Sequence, residues 1–358
     1  MQAQALALRA FYYLQLVNLF GEPYTYNKEA LGVPLKLTSA LSISYDKRKT
    51  VGEVYDQIVR DLDEAEKYFL MLPKEKQFLP NYRITLPAVQ LLKARVNLYM
   101  NNLEEAAKYA KNVIQDWDFA LYDLRSLSYD GVTFPNYVTY DNPETIWAFG
   151  KRNDLLKFTY DLTGDYGVKD HRVLINASDE LVDNYEDEGD LRKQFYLVPE
   201  YGYTPVCYLA VNKCMFLGES IPSDDKFMLA LRLSEAYLIL AEATAKTDPM
   251  IALNAVNELR KKRISEEKYK DKSGLSGDEL LEFVRNERRR ELCFEGHRWF
   301  DLRRYGMPSF TRVWKEGGVP AKWFTMEKED AAYTLPISKE VMDRNPGLIQ
   351  NRLGNPKY

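Results

Sequence analysis

The sequence predicts a mostly α-helical protein, with paired helices interrupted by one long irregular region. Three observations point there. Gly and Pro are scarce, at 18 and 16 in 358 residues. That is below the roughly 12% usual in proteins and favours long regular elements over tight turns. Apolar residues recur at helical spacing in several segments. Two helical hairpins, near residues 86–115 and 228–262, look alike. At 46% hydrophobic and 28% charged, the chain has the composition of a folded protein, long enough for one large domain or two ordinary ones.

Residues 3–20 are apolar and helix-forming, and Gly21, Glu22 and Pro23 stop them. A loop follows through Tyr45. Thr50 opens the next helix with Glu53 as its capping-box partner. Val54, Ile58, Leu62, Ala65 and Phe69 follow at helical spacing until Pro73. In the first hairpin, residues 86–100 run into Asn101-Asn102 and then 103–115, with slim Ala94, Leu98, Ala106 and Ala107 at facing positions. In the second, residues 228–246 run into Thr247-Asp248-Pro249 and then 250–262. Asp248 is placed to cap, and Pro249 takes the first helical position. Ala236, Leu240, Ala252 and Leu253 occupy the corresponding places. Small residues at such crossings resemble tetratricopeptide (TPR) packing, and an ordinary helical hairpin fits the same pattern.

From about residue 118 to 225 the chain is rich in Tyr, Asp, Asn, Gly and Pro. Its apolar runs at 144–149 and 205–216 are short and read as strands. A stretch this long inside a domain is expected to carry structure of its own or a binding role. A helix starts at Ser178. The acidic run Asp183, Glu186, Asp187, Glu188 and Asp190 lacks the EF-hand order; it is weak evidence for a structural Ca²⁺ and reads as a solvated helix end. Ser276 then caps a charged helix, with Glu279 as capping-box partner, that runs on to Gly306. Opposite charges sit three apart at Glu287/Arg290, Arg288/Glu291, Glu295/Arg298 and Asp301/Arg304. Trp299, Phe300 and Tyr305 are interleaved with them, so part of this network is expected to be buried, where satisfied ion pairs fix geometry.

Several function classes drop out. With 49 Lys and Arg against 53 Asp and Glu, there is no net-basic footprint for nucleic acid. Only His171 and His297 are present, so a three-histidine zinc site is impossible. No HExxH, GxSxG, P-loop or GxGxxG occurs, and no carboxylate pair stands out for glycoside hydrolysis. The reading is non-enzymatic, with no cofactor and no metal. Cys207, Cys214 and Cys293 form no disulfide framework: a Cys207–Cys214 bridge fits an exported protein, and buried thiols are the plainer reading. No apolar run reaches the roughly 18 residues that span a bilayer. No basic segment precedes an apolar one at the start, which reads as a cytoplasmic protein or a processed or truncated form.

The segment Arg232-Leu233-Ser234-Glu235-Ala236-Tyr237-Leu238-Ile239-Leu240-Ala241-Glu242-Ala243 resembles a known "R-x-x-E-x-Y-L-x-x-A-E-A" helix. The run from Glu287-Arg288 through Glu291-Leu292, Phe294-Glu295-Gly296, Arg298 and Asp301-Leu302 to Arg304 resembles "E-R-x-x-E-L-x-F-E-G-x-R-x-x-D-L-x-R". Leu335-Pro336-Ile337-Ser338 with Asn345-Pro346-Gly347-Leu348-Ile349-Gln350-Asn351 resembles the closing "L-P-I-P … N-P-x-L-x-Q-N". Leu8-Arg9-Ala10-Phe11 with Leu19-Phe20-Gly21-Glu22-Pro23-Tyr24 resembles "L-R-A-F … L-F-G-x-P-Y". On these four landmarks, in order and spanning nearly the whole chain, the sequence is identified as a member of the SusD/RagB family, the surface nutrient-binding lipoproteins of Bacteroidetes.

The resemblance implies a single SusD-like domain over 1–358. Residues 1–117 and 226–306 would form a TPR-like scaffold, and 118–225 and 307–358 a loop-rich ligand face and tail. It implies export, a lipidated N-terminal Cys in the outer membrane, an outward-facing position and a partner transporter of the SusC, TonB-dependent type. It implies binding without cleavage, usually of an oligosaccharide. A RagB-type peptide cargo is the main alternative, and a TPR-type interaction scaffold the second. Family members carry a signal peptide, a lipobox Cys and a further helical segment before "L-R-A-F", so the chain is expected to be N-terminally truncated. Arg232, Glu235, Glu242, Glu287, Arg288, Glu291, Glu295, Gly296, Arg298, Asp301 and Arg304 match structural positions, and no glycan contact is carried over from them.

A sugar ring offers C–H faces and hydroxyls, met by flat aromatics and polar side chains. The candidates are therefore aromatics in irregular stretches. Tyr137 and Tyr140 lie beside Asn136, Asp141 and Asn142; Tyr160 and Tyr166 lie beside Asp161 and Asp165; Tyr201 and Tyr203 come next. Trp314 and Trp323 flank Gly317-Gly318, where one is expected to project. Trp117, Trp147 and Trp299 read as core, and the two His as structural or solvated.

Overall fold

The computed structural model describes residues 1–40, 46–78, 81–127, 142–150, 177–185, 188–200, 207–209, 229–316 and 319–354. Among these it is mostly helical, with three separate two-stranded antiparallel sheets. The chain divides into two compact units. One comprises Met1–Met71, Tyr99–Asn101 and Arg298–Tyr358, and the other Leu72–Leu98 and Asn102–His297.

In the first unit the Gln2–Phe20 helix packs on the Val51–Leu70 helix. Ala7, Ala10, Leu14 and Val17 are buried on the first, and on the second the apolar stripe read from sequence, Val54, Ile58, Leu62 and Ala65. The capping box is present, with Thr50 Oγ1 accepting from the Glu53 amide and Glu53 Oε2 from the Thr50 amide. Arg9 of the "L-R-A-F" landmark grips Asp61 with two hydrogen bonds of 2.7 and 2.6 Å. The other terminal landmarks are stitched together. Asn351 Nδ2 donates to the carbonyls of Phe20 (2.8 Å) and Leu335 (2.7 Å), and the Leu335 amide donates to the Leu19 carbonyl. Gln350 holds both polar groups of the Ile337 backbone, at 2.9 and 2.8 Å. Gly21 is required by closeness: a Cβ there would sit 2.8 Å from Val51 Cγ2 and 2.9 Å from the Val17 carbonyl oxygen.

In the second unit the Leu103–Gln115 helix packs against Leu233–Thr244, which packs against Pro249–Lys261. The second helix of one hairpin thus meets the first of the next, as TPR-like pairs do. Ala106, Ala236 and Ala252 are fully buried at these contacts, while Leu253 is half-buried. Asp248 accepts from the Ile251 amide at 3.1 Å, and Ser178 likewise caps the short Asp179–Asp183 helix.

Three expectations change. The helix expected from 228 begins at Leu233, because Leu229–Arg232 pairs antiparallel with Thr145–Phe149, and a strand partner distant in sequence overrides local helix preference. Ser276 occupies the N-cap of the Gly277–Glu291 helix, but its hydroxyl makes no cap bond. Gly277 at φ +57 departs from the helical first turn that a capping box needs. The charged helix expected to reach Gly306 breaks after Glu291 and resumes as Arg298–Arg304, because Phe294 (φ +62) and Gly296 (φ +80) are left-handed.

A Cβ on Gly296 would meet nothing within 4 Å, so only backbone strain opposes a side chain. Gly296→Ala is expected to cost about 1 kcal/mol and lower Tm by about 2–4 °C. Thermal melts followed by circular dichroism test this, and an unchanged Tm would show that the turn tolerates other backbone geometry.

Candidate functional site

Most of the signature residues converge inside the second unit. The Gly277–Glu291 helix carries Glu287, Arg290 and Glu291 on one side, and the turn after it delivers Glu295. Arg232 sits where the Leu229–Arg232 strand becomes a helix, and Glu144 immediately precedes the paired strand. Arg260 lies in the last turn of the Pro249–Lys261 helix and Arg263 just past its C-cap, with Asp190 and Arg192 at the start of the Leu191–Tyr196 helix. Arg192, Arg232, Arg263, Glu144, Glu287 and Glu291 are all 0% exposed.

Glu291 is the hub. Its carboxylate accepts from Arg263 at 2.9 and 3.0 Å, Arg232 at 3.1 Å, Arg192 at 3.4 Å and the Tyr196 hydroxyl at 3.3 Å. Arg232 also forks onto Glu295 at 2.9 and 2.6 Å and reaches Glu144 at 3.0 Å. Glu144 accepts from Arg263 at 2.5 Å and from the Tyr122 amide at 2.7 Å. Arg192 forks onto Asp190 at 2.9 and 2.7 Å and holds Glu287 at 2.7 Å. Arg290 forks onto the other Glu287 oxygen. Five carboxylates thus face five guanidinium groups, with Arg260 at 4.0 Å from Glu287. A smaller cluster joins Arg95 and Glu235 at 2.7 and 2.5 Å, with Arg288 3.8 Å from Glu235. Arg288 Nη2 lies 3.2 Å from His297 Nδ1; a guanidinium only donates, so that nitrogen carries the lone pair.

Burial alone would raise the Glu287 carboxyl; Arg192, Arg290 and Arg260 outweigh it and hold the group down at about 2. Burial pushes the Tyr196 and Tyr185 hydroxyls well up, so both stay protonated and donate. Against an apolar core of equal volume such a lattice contributes little net stability. Its effect is to fix the relative placement of chain segments far apart in sequence. The lattice is a structural keystone closed to solvent.

Other signature residues lie at its margins. Glu242 is buried with Arg285 at 3.4 Å. In the first unit Asp301 holds Arg304 at 2.9 Å, and Arg304 lies over the Tyr305 ring at 4.4 Å. Arg298 is half-buried. Trp117 and Trp147 are buried as expected, and Trp299 is half-buried, stacked on Tyr333 with ring centroids 5.1 Å apart.

The acidic run divides. Asp183 and Glu188 are exposed, but Asp190 is buried, capping its helix and pairing with Arg192, which corrects the solvated reading at that position. Among the described residues no group of three His, Cys, Asp or Glu is arranged to hold a metal. Cys293 is a buried thiol with its sulfur 3.3 Å from the Tyr185 hydroxyl.

Of the sequence-predicted ligand residues, Asn136, Tyr137, Tyr140, Tyr160, Asp165 and Tyr166 lie outside the described residues, as do Tyr201, Tyr203 and His171. Asn142 is buried and its Oδ1 accepts from the Glu144 amide at 2.9 Å. Trp314 and Trp323 stand on the Phe310–Glu316 and Val319–Met326 strands of one hairpin, at 55% and 67% exposure. The register pairs Trp314 with Lys322 and Val313 with Trp323, which puts the two indoles on opposite faces. Both project, where the sequence led us to expect one.

Residues 223–358 match the family model described as "SusD family", and residues 1–98 the one described as "Starch-binding associating with outer membrane". A SusD superfamily protein from Bacteroides vulgatus ATCC 8482 superposes with a TM-score of 0.72 at 26% identity, covering 99% of this chain and 77% of that one. The chain belongs to the SusD/RagB family. This SusD/RagB chain is also similar to SusD-like protein P2 of Formosa agariphila, at 27% identity over 405 residues, covering 99% of this chain and 74% of that protein. SusD-like protein P38 of the same organism is 26% identical over 348 residues, covering 84% of this chain; the match spans 65% of the length of P38. A SusD superfamily protein from Bacteroides thetaiotaomicron VPI-5482 shares the fold, with a TM-score of 0.75 at 24% identity.

The residues that complete the keystone outside the signature are Glu144, Asp190, Arg192, Arg260 and Arg263. Nothing in their local sequence distinguishes them from surface charges. The one available signal is a parity argument: a buried signature rich in Glu requires buried cations from elsewhere.

Proposed function

We propose that this chain is a non-catalytic component of nutrient uptake at the outer membrane, binding oligosaccharide or polysaccharide and passing it to a TonB-dependent transporter of the SusC type. The observation that carries the reading is the match of residues 1–98 to a family described as starch-binding and associating with the outer membrane. The keystone is consistent with it, since its clustered carboxylates are ion-paired and closed to solvent rather than poised over a cleft. The sequence assigns ligand contact to the tyrosine-rich 136–166 segment, where Tyr137, Tyr140, Tyr160 and Tyr166 alternate with Asn136 and Asp165.

Affinity electrophoresis through gels containing a panel of polysaccharides tests this. One glycan is expected to retard the chain. Tyr160→Ala with Tyr166→Ala is expected to weaken that retention at least about tenfold, about 1.4 kcal/mol, without lowering Tm. Unchanged retention would move the site off this segment. Retention by no glycan, alongside binding of a peptide pool, would replace the cargo with peptide.

A further inference from the structure

Among the described residues, the hairpin bearing Trp314 and Trp323 packs on a core cluster at its base. There Phe310 and Met326 form a cross-strand pair packed against Leu302, Met307 and Tyr333. Beyond that pair, no third strand joins the ribbon among the described residues. The register continues the packed face outward through Arg312, Trp314, Lys322 and Phe324, and places Thr311, Val313, Trp323 and Thr325 on the other face. The 2.8 Å contact between the Thr311 and Thr325 hydroxyls fits that assignment.

Away from the base, large apolar side chains on both faces are exposed. Trp314 is 55% exposed, Trp323 67%, Phe324 49% and Val313 41%. In the sequence, Val319, Pro320 and Ala321 follow Gly317-Gly318. A ribbon stacked on a sugar, or laid in a protein groove, would hide one face and keep the other polar. Large apolar side chains on both faces suit a medium that surrounds the tip. Trp favours the water–lipid boundary, because its ring is apolar and its N–H finds a headgroup partner.

The charges agree with such a medium. Residues 310–326 contain Arg312, Lys315 and Lys322 against the single acid Glu316. Arg312 lies over the Phe310 ring at 4.6 Å, near the base, and Lys322 is exposed. Cations on long stems behind a hydrophobic tip reach back to headgroup phosphates as the rings enter. We propose that the hairpin inserts its exposed Trp314, Trp323 and Phe324 side chains into the headgroup layer of an anionic lipid surface. A single ribbon of this size binds weakly and reversibly, so its role is to set the orientation of the protein on a membrane.

The test uses the full chain with vesicles of equimolar phosphatidylcholine and phosphatidylglycerol, in sedimentation and tryptophan fluorescence. The expected result is co-sedimentation with a blue-shifted emission, quenched by brominated lipid and weakened in about 0.5 M salt. Trp314→Ser with Trp323→Ser is expected to lower the partition coefficient at least about tenfold. Lys322→Glu is expected to lower it by a smaller factor. These positions are solvent-exposed, and an unchanged melting curve verifies the variants. Absence of co-sedimentation, or a double variant that binds like the parent, would overturn the proposal. So would variants that lose a polysaccharide or a protein partner while keeping lipid. The co-sedimentation and fluorescence readouts do not depend on glycan binding.

Discussion

Glu291→Gln is expected to lower the melting temperature by about 10 °C. Glu291 faces Arg192, Arg232 and Arg263, and it is 0% exposed. The amide is nearly isosteric, so no cavity opens and the change isolates charge. Removing one partner from a buried ionic cluster typically costs about 3–5 kcal/mol, because the opposing charges stay buried with less compensation. For a unit of this size each kcal/mol shifts Tm by about 2–4 °C. The control is Glu188→Gln: Glu188 pairs with Lys268, but both side chains are more than half exposed, and such pairs contribute about 0–1 kcal/mol. A Glu291→Gln variant that melts within about 2 °C of the parent would show that the keystone does not set stability.

Acid is expected to dismantle the same unit along a defined window. The Glu287 carboxyl is depressed from 4.5 to about 2 by Arg192, Arg290 and Arg260. A depressed folded-state value means that the unfolded chain takes up the proton first. The stabilisation is therefore fully present above the unfolded value, near 4.5, and is lost as the pH falls from there towards 2. Its size is on the order of 3 kcal/mol for the single group. Urea midpoints measured from pH 6 to pH 2.5 should fall steeply below pH 4.5, and Glu287→Gln should flatten that fall while lowering the midpoint at pH 6. Parallel curves for parent and variant would reject Glu287 as a source of the acid sensitivity.

The elements most legible in the sequence are those specified by neighbours a few residues apart. The Thr50–Glu53 capping box, the Asp248-Pro249 start and the apolar stripe of Val51–Leu70 all depend on contacts within one or two turns. Where long-range pairing competes, local reading misplaces the boundary. Arg232 lies in a helical pattern, yet it ends a strand because Thr145–Phe149 offers a ladder. The break at Phe294 and Gly296 was hidden by an unbroken charge periodicity, and only the backbone there reveals two left-handed residues. From sequence, one of Trp314 and Trp323 was expected to project; both do, at 55% and 67% exposure. Their opposite facing follows from the strand register, which the intervening Gly-Gly alone does not specify.

The sequence by itself determined that the chain is helical, that its four landmarks occur in family order, and that its signature charges are too interleaved with aromatics to be a plain solvated face. Charge spacing along a helix is local, so the Glu287/Arg290 pair could be read directly. Only the tertiary structure decided which distant charges complete the lattice. Glu144, Asp190, Arg192 and Arg263 arrive from segments separated by up to about 150 residues, and each looks locally like a surface residue. Burial is a property of the whole packing: a charge becomes part of the core only when every element around it has closed and supplied its counter-charge.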